Sequence, residues 1–344
     1  MTEGVATPGA GWRRADGWTD KRKKNGRRSG RRAAGEVAMV EDAEFTSYYG
    51  RPIIKAPVWK SPDVPLYLFL GGASGTTAVL GALADLSGRP ALTRVARLFA
   101  GAGSIASVGF LVHDLGRPER FLHMLRVMKP TSALSVGTYI LSPFSAAAGA
   151  TAAVELLGWF PRLKRFGGIV SALFGGPMAT YTAVLLANTA VPSWRGPHKE
   201  LPFVFAGSAL AAGGGITMVF APVGEAGPSR KMAVAGAAIE LAVVHKVEND
   251  HGILSEPFHE GRPGTFMRAA RACTAAGAGL TVLAGRRRWG AVASGTLLAA
   301  GSLLTRFGVF EAGIASTKDP KYVVVPQRER MAARQNGHAS TITR

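Results

Sequence analysis

Eight apolar runs, each near the twenty or so residues that a helix needs to cross a bilayer, limit what this chain can fold into. They lie roughly at residues 65–84, 95–113, 133–157, 168–190, 202–221, 232–246, 269–285 and 289–307. Alanine and glycine dominate them, and charge is nearly absent along most of their length. A water-soluble helix of that length carries a polar stripe at a 3.6-residue spacing, and most of these runs carry none. Strands are excluded by the lack of two-residue alternation and by the poor strand propensity of alanine and glycine. The sixth run is short, and the seventh is flanked by arginine. The expected fold class is all-α integral membrane, with eight transmembrane helices and polar tails.

Charge sits at the ends. Residues 11–32 hold ten Lys/Arg against two Asp, and residues 1–44 read as a solvated basic arm with no apolar face to bury. The tail from 311 onward is polar again. With eight spans both termini share one side. That side carries thirteen Lys/Arg up to residue 60, seven from Arg306 onward and ten in its loops, against eleven in the loops opposite. The positive-inside tendency then makes the termini cytoplasmic. Arg13-Arg14 is not a twin-arginine signal, since no apolar segment follows within reach. The arm suits anionic lipid headgroups, and nothing beyond charge argues for nucleic acid.

Several kinds of chemistry are excluded or weakened. Cys273 is the single cysteine, so this chain can hold neither an internal disulfide nor an iron–sulfur cluster, which needs several thiolates. A membrane haem would want two facing histidines within the spans, and only His113 and His245 come near, both at span ends. The string GAGSIA at residues 101–106 fits a dinucleotide fingerprint, but it lies inside a span with no strand before it. Gly71-x-x-x-Gly75 and Gly213-Gly214-Gly215 read as close helix–helix packing. No Ser-His-Asp arrangement or metal-ligand spacing stands out.

The most polar stretch between two spans is LVHDLGRPERFLHMLRVMKPTSALSVG, residues 111–137. His113 and Asp114 close the second span, and Gly116-Arg117-Pro118 break its helix. A short amphipathic helix follows, with Phe121, Leu122, Leu125 and Met128 on its apolar side. Ser132 caps the third span. An imidazole beside a carboxylate at the membrane edge can take up and pass protons. The alternative is that Asp114 pairs with Arg117 or Arg120 and only fixes the loop.

This stretch resembles the signature loop of the NrfD/PsrC family, the membrane subunits of polysulfide-reductase-like molybdoenzymes. SYYGRPIIKAPVWK before the first span, PLYLFLGGASG opening it, YTAVLLANTAVPSW closing the fourth and TRFGVFEAGIASTKDPKYVVVPQRER near the end agree with it. The similarity runs from about residue 45 to residue 330. It implies two four-helix bundles, residues 45–190 with a quinone site and residues 191–310, and no haem or iron–sulfur cluster in this chain. It also implies a four-cluster, ferredoxin-like iron–sulfur subunit and a molybdopterin catalytic subunit as partners, besides membrane lipid. The catalytic partner would be of the formate dehydrogenase or polysulfide/thiosulfate reductase type.

A quinone, menaquinone favoured, needs hydrogen-bond partners for its two carbonyls and a proton route to water. Tyr67, Tyr139, Tyr181 and Asn188 are the expected pocket residues, with Tyr181 preferred because the family's pocket includes a tyrosine from span four. Tyr67 reads equally well as an aromatic-belt residue. His113 and Asp114 are the expected proton-exchanging pair, and Arg117, Glu119 and Arg120 the docking residues for the partner. Asp85, Glu155, Glu240 and Glu311 are acids in or beside apolar runs. They form a candidate proton path, or each is satisfied by a helix end or by an arginine such as Arg306. The competing functional class is a stand-alone secondary transporter or proton-translocating module, which would work without a redox partner. A bare assembly scaffold that binds no quinone is the third.

Overall fold

The computed structural model describes residues 52–335 apart from 118 and 159. The expected basic arm of residues 1–44 lies outside the described residues. Every regular element described is helical, in the order α1 Asp63–Leu86, α2 Pro90–Leu115, α3 Glu119–Met124, α4 Ala133–Leu157, α5 Pro161–Ala187 and α6 Pro192–Arg195. Then follow α7 Leu201–Phe220, α8 Gly227–Asn249, a 3-10 turn at Gly252–Phe258, α9 Gly261–Ala284, α10 Arg288–Lys318 and α11 Lys321–Gln335.

Eight of these helices have twenty residues or more, and six of the eight, α1, α2, α4, α5, α7 and α10, are long and apolar enough to cross a membrane. The chain is thus a multi-pass helical membrane protein. The runs at 232–246 and 269–285 also form long helices, α8 and α9. Both carry ionisable residues along their length: Arg230, Lys231, Glu240, Lys246 and Glu248 in one, Arg262, Arg268 and Arg271 in the other. Helices overrun the apolar runs that announce them, because an intrahelical hydrogen bond serves a polar residue as well as an apolar one. The largest overrun is α10, which continues to Lys318, past residue 311 where the polar tail was expected; α11 then follows.

Each long helix runs antiparallel to the next, so the molecule has two ends. The wide end carries the start of α1, α3, α6, the 3-10 turn and α11; the tight end carries the short links at 87–89, 158–160, 221–226 and 285–287. Helices α1, α2, α4 and α5 pack around one another, α7, α8, α9 and α10 do the same, and α1 and α5 meet α7 along the seam between the groups. Small residues set these distances. A Cβ at either Gly75 or Gly175 would strike the other's carbonyl, so α1 and α5 touch backbone to backbone. At the seam Thr76 Oγ1 donates to the Ala209 carbonyl at 2.8 Å.

The links follow the sequence in part. Ser132 is the N-cap of α4 and its hydroxyl accepts from the Ser135 N–H at 3.4 Å. The amphipathic helix is α3, only six residues long; Phe121 packs against the core, while Leu122 and Met128 stay exposed. Before α1, Trp59 stacks on the fully buried Trp194 of α6 at 5.6 Å.

Candidate functional site

Asp63 is the first residue of α1, where a carboxylate also meets the positive end of the helix dipole. Its Oδ2 lies 2.7 Å from Nδ1 of His113, near the end of α2. A neutral imidazole donates Nδ1–H to that carboxylate, which leaves Nε2 as a proton acceptor. The His113 side chain is 74% exposed and the Asp63 side chain 9%, so the pair reaches from water to the edge of the core.

Tyr67 stands one turn further along the same face of α1 and is 2% exposed. Its hydroxyl hydrogen-bonds that of Tyr181 on α5, and Ser107 Oγ on α2 donates to its carbonyl at 3.1 Å. The fourth helix contributes by what it lacks. A Cβ at Gly137 of α4 would overlap the Tyr181 ring, so the ring lies on bare backbone. All four helices of the first group therefore fix one line: an exposed imidazole, a carboxylate, and two phenols that face each other inside the protein. Such a line can take a proton from water and present hydroxyl donors to a carbonyl oxygen in an apolar slot.

A family model described as polysulfide reductase, of the NrfD type, matches residues 45–318. The chain belongs to this family. A search among curated proteins found no match. The line from His113 to Tyr181 lies wholly inside the NrfD-type segment.

His113 and Asp114 were expected to act as a pair. Neighbours in sequence stand about 100° apart around a helix, so each meets a hydrogen-bond partner of its own, while the two still act on each other through space. Asp114 Oδ1 instead accepts the Lys60 N–H at 2.7 Å and pins the segment that leads into α1. The acid that does meet His113, Asp63, was not among the expected site residues. Its signal was its place four residues before Tyr67 in SPDVPLY.

The remaining candidates divide. Tyr139 donates its hydroxyl to the Leu125 carbonyl at 2.8 Å and ties the loop to α4. Asn188, exposed, is the C-cap of α5, two turns beyond Tyr181 on the same face. Arg117, Glu119 and Arg120 are exposed on the wide end, and Arg120 Nη1 donates to the Leu115 carbonyl that ends α2. Near them Val58, Leu122, Val127, Met128 and Leu134 are also exposed.

The four acids do not form one path. Asp85 and Glu155 share Arg97 at the tight end, at 3.1 and 3.2 Å. From Asp63 to Asp85 the helix rises roughly 33 Å. Glu155 also meets Lys164 at 3.3 Å. Glu240 is buried in the second group of helices, and Glu311 is half-buried on α10.

Proposed function

We propose that this NrfD-type chain is the quinone-reactive anchor of a molybdopterin oxidoreductase complex and exchanges electrons with an iron–sulfur subunit. The observation that carries the reading is the Asp63–His113 pair leading to the Tyr67–Tyr181 pair. The donor set fits a quinone, menaquinone favoured. A ring carbonyl can take over the hydrogen bond the two phenols now make to each other, and the half-buried ring of Tyr181 and its apolar neighbours suit a flat ring. When bound, the quinone supplies two-electron, two-proton chemistry at its carbonyl oxygens. The chain's own part is to hold those oxygens with Tyr67 and Tyr181 and to move protons between them and water. His113 Nε2 exchanges with solvent, and Asp63 holds the imidazole's tautomer and steadies its charge.

The exposed basic and apolar residues around α3 suit docking of the iron–sulfur subunit, which reaches the molybdopterin subunit of formate dehydrogenase or polysulfide/thiosulfate reductase type. Helices α8 and α9 complete a second four-helix group with two apolar partners, so in this reading all eight long helices cross the membrane. The excess of Lys/Arg at the termini places them on the cytoplasmic side.

Gentle detergent purification of the tagged chain, with mass spectrometry, metal analysis and quinone extraction, tests this. Co-purifying iron–sulfur protein, molybdenum and stoichiometric quinone support it. A single-chain preparation with none of them, active in liposomes by itself, replaces it with the transporter.

A further inference from the structure

The second group of helices holds a carboxyl that the quinone reading does not use. Glu240 is 2% exposed, midway along α8. Thr305 Oγ1 donates to its Oε1 at 2.6 Å, and Thr274 Oγ1 lies 3.4 Å from Oε2. Both partners are hydroxyls. A hydroxyl either donates or accepts, so this cage serves a carboxylate and a carboxylic acid alike.

A positive charge is buried beside it. Arg306, 0% exposed, lies over the Phe205 ring at 3.9 Å and donates Nη2–H to the Phe205 carbonyl at 3.0 Å. Its Nε and Nη1 have no hydrogen-bond partner. Glu240 acts on it through space rather than through a hydrogen bond. An intramembrane cation needs a counter-charge, yet this one leaves its acid free to change state.

The route to Glu240 is one-sided. Toward the wide end, two turns along the same face of α8, Glu248 is fully buried at its side chain and ion-paired with Arg271 of α9, which is 38% exposed. Glu248 Oε1 is buried with no hydrogen-bond partner, and the exposed His259 donates Nε2–H to the Glu248 carbonyl at 2.9 Å. Between Glu240 and Arg271 runs a seam lined by Val244, Met267, Ala270 and Thr274, too narrow for a water as packed. Eight helical residues, about 12 Å, separate the two acids, and the flexible Met267 side chain is the natural gate. Toward the tight end Ala211, Met218, Ala233, Ala237, Ala291 and Leu298 close the bundle with an apolar plug.

We propose that Glu240 is a proton-exchanging site that takes up and releases its proton only through the Glu248–Arg271–His259 end, with Arg306 as its fixed counter-charge. The exchange is a simple protonation: the carboxylate gains one proton from wide-end water, relayed by Glu248, and returns it by the same route. The other charged or titratable groups on the packed helices are His245, Lys246, Arg230 and Lys231 on α8, Arg262, Arg268 and Cys273 on α9, and Arg288, Glu311 and Lys318 on α10; of these His245 acts through space on Glu248. Helix α7 contributes none. The arrangement makes a well that stores a proton, not a pore that conducts one.

Infrared difference spectroscopy of the full chain in lipid nanodiscs, with any subunits that co-purify, tests the site. A protonated-carboxyl band should titrate with pH and vanish in Glu240→Gln. Its shift on transfer to D2O should slow by roughly a hundredfold in Glu248→Gln, as expected on removing a positioned proton relay. Asp85→Asn, at the tight end, should leave the shift rate unchanged. Should Glu240→Gln fail to fold, mass spectrometry of the wild-type chain treated with dicyclohexylcarbodiimide reads the same acid, since that reagent modifies buried protonated carboxyls. An adduct on Glu240 that fades as pH rises supports the proposal. It is overturned by no titrating band and no adduct, or by equal exchange rates in wild type and Glu248→Gln. Neither result bears on quinone binding in the first group of helices.

Discussion

Arg97 and Arg306 are both buried arginines in an apolar bundle, and the protein treats them in opposite ways. Arg97 is held between Asp85 and Glu155, with Lys164 and Arg165 completing a charge-rich knot that ties together the ends of four helices. Arg306 has an aromatic face, one backbone carbonyl and an acid acting from a distance. The first arrangement ties two carboxylates to one guanidinium by direct contact and joins helix ends. The second leaves Glu240 among hydroxyls that tolerate either protonation state. Burial of a charge is therefore not by itself a sign of function; the partners decide whether the charge is locked or free to change.

The sharpest way to break this contrast is to remove each partner in turn. Arg97→Met leaves Glu155 only Lys164 and Asp85 only the more exposed Arg165, and loss of one member of a buried ion pair costs up to about 3–5 kcal/mol. Thermal unfolding in detergent should show Arg97→Met as the most damaged variant, with Glu155→Gln also clearly destabilised. Glu240→Gln should cost well under that, because an amide fits a cage that already accepts the neutral acid. Equal damage from Glu155→Gln and Glu240→Gln would erase the distinction.

The first group of helices offers a second contrast, between a phenol and the gap that seats it. Gly137→Ala drives a methyl into the Tyr181 ring, and overpacking of this kind costs about 1–3 kcal/mol. Tyr181→Phe removes only the hydroxyl. If Tyr181 binds a quinone oxygen, both variants should lose quinone-linked electron flow while only the alanine variant loses stability. Retained electron flow in Tyr181→Phe would point to a scaffold. Asp63→Asn comes next in size: a tenfold fall in quinone-linked turnover corresponds to about 1.4 kcal/mol. Its thermal stability should stay near that of wild type, because the amide oxygen still accepts the Nδ1–H of His113.

These residues also show what the sequence could and could not reveal. The apolar runs announced the long helices, and Ser132 announced a cap, because both signals act within a few residues. Pairings that depend on how helices turn against one another were hidden. His113 and Asp114 looked coupled because they are adjacent, and the helix turns them apart. Asp63 was not singled out, since nothing local shows that α2 ends beside it. Arg97 lies twelve residues after Asp85, beyond the turn at 87–89, but Glu155 comes from a helix much later in the chain, so the sequence could not show that Asp85 and Glu155 share one arginine. Tyr139 was selected as a polar residue in a span, and only the fold shows its hydroxyl spent on Leu125.

The smallest effect concerns the wide end of the second group, where His251 and Lys246 both approach Glu200 at the head of α7, at 3.5 and 3.4 Å. Burial lowers the His251 pKa below the ordinary imidazole value, and the nearby Glu200 only partly offsets this. Its Nε2 is buried without a hydrogen-bond partner, so the folded protein resists protonating this ring. As pH falls through about 6.5 the unfolded chain binds a proton that the folded chain refuses, and stability is lost. The loss ends once pH drops below the folded-state value, where both states carry the proton. His251→Gln should flatten this part of the stability–pH curve. A curve equally steep in His251→Gln and wild type would assign the slope to another group.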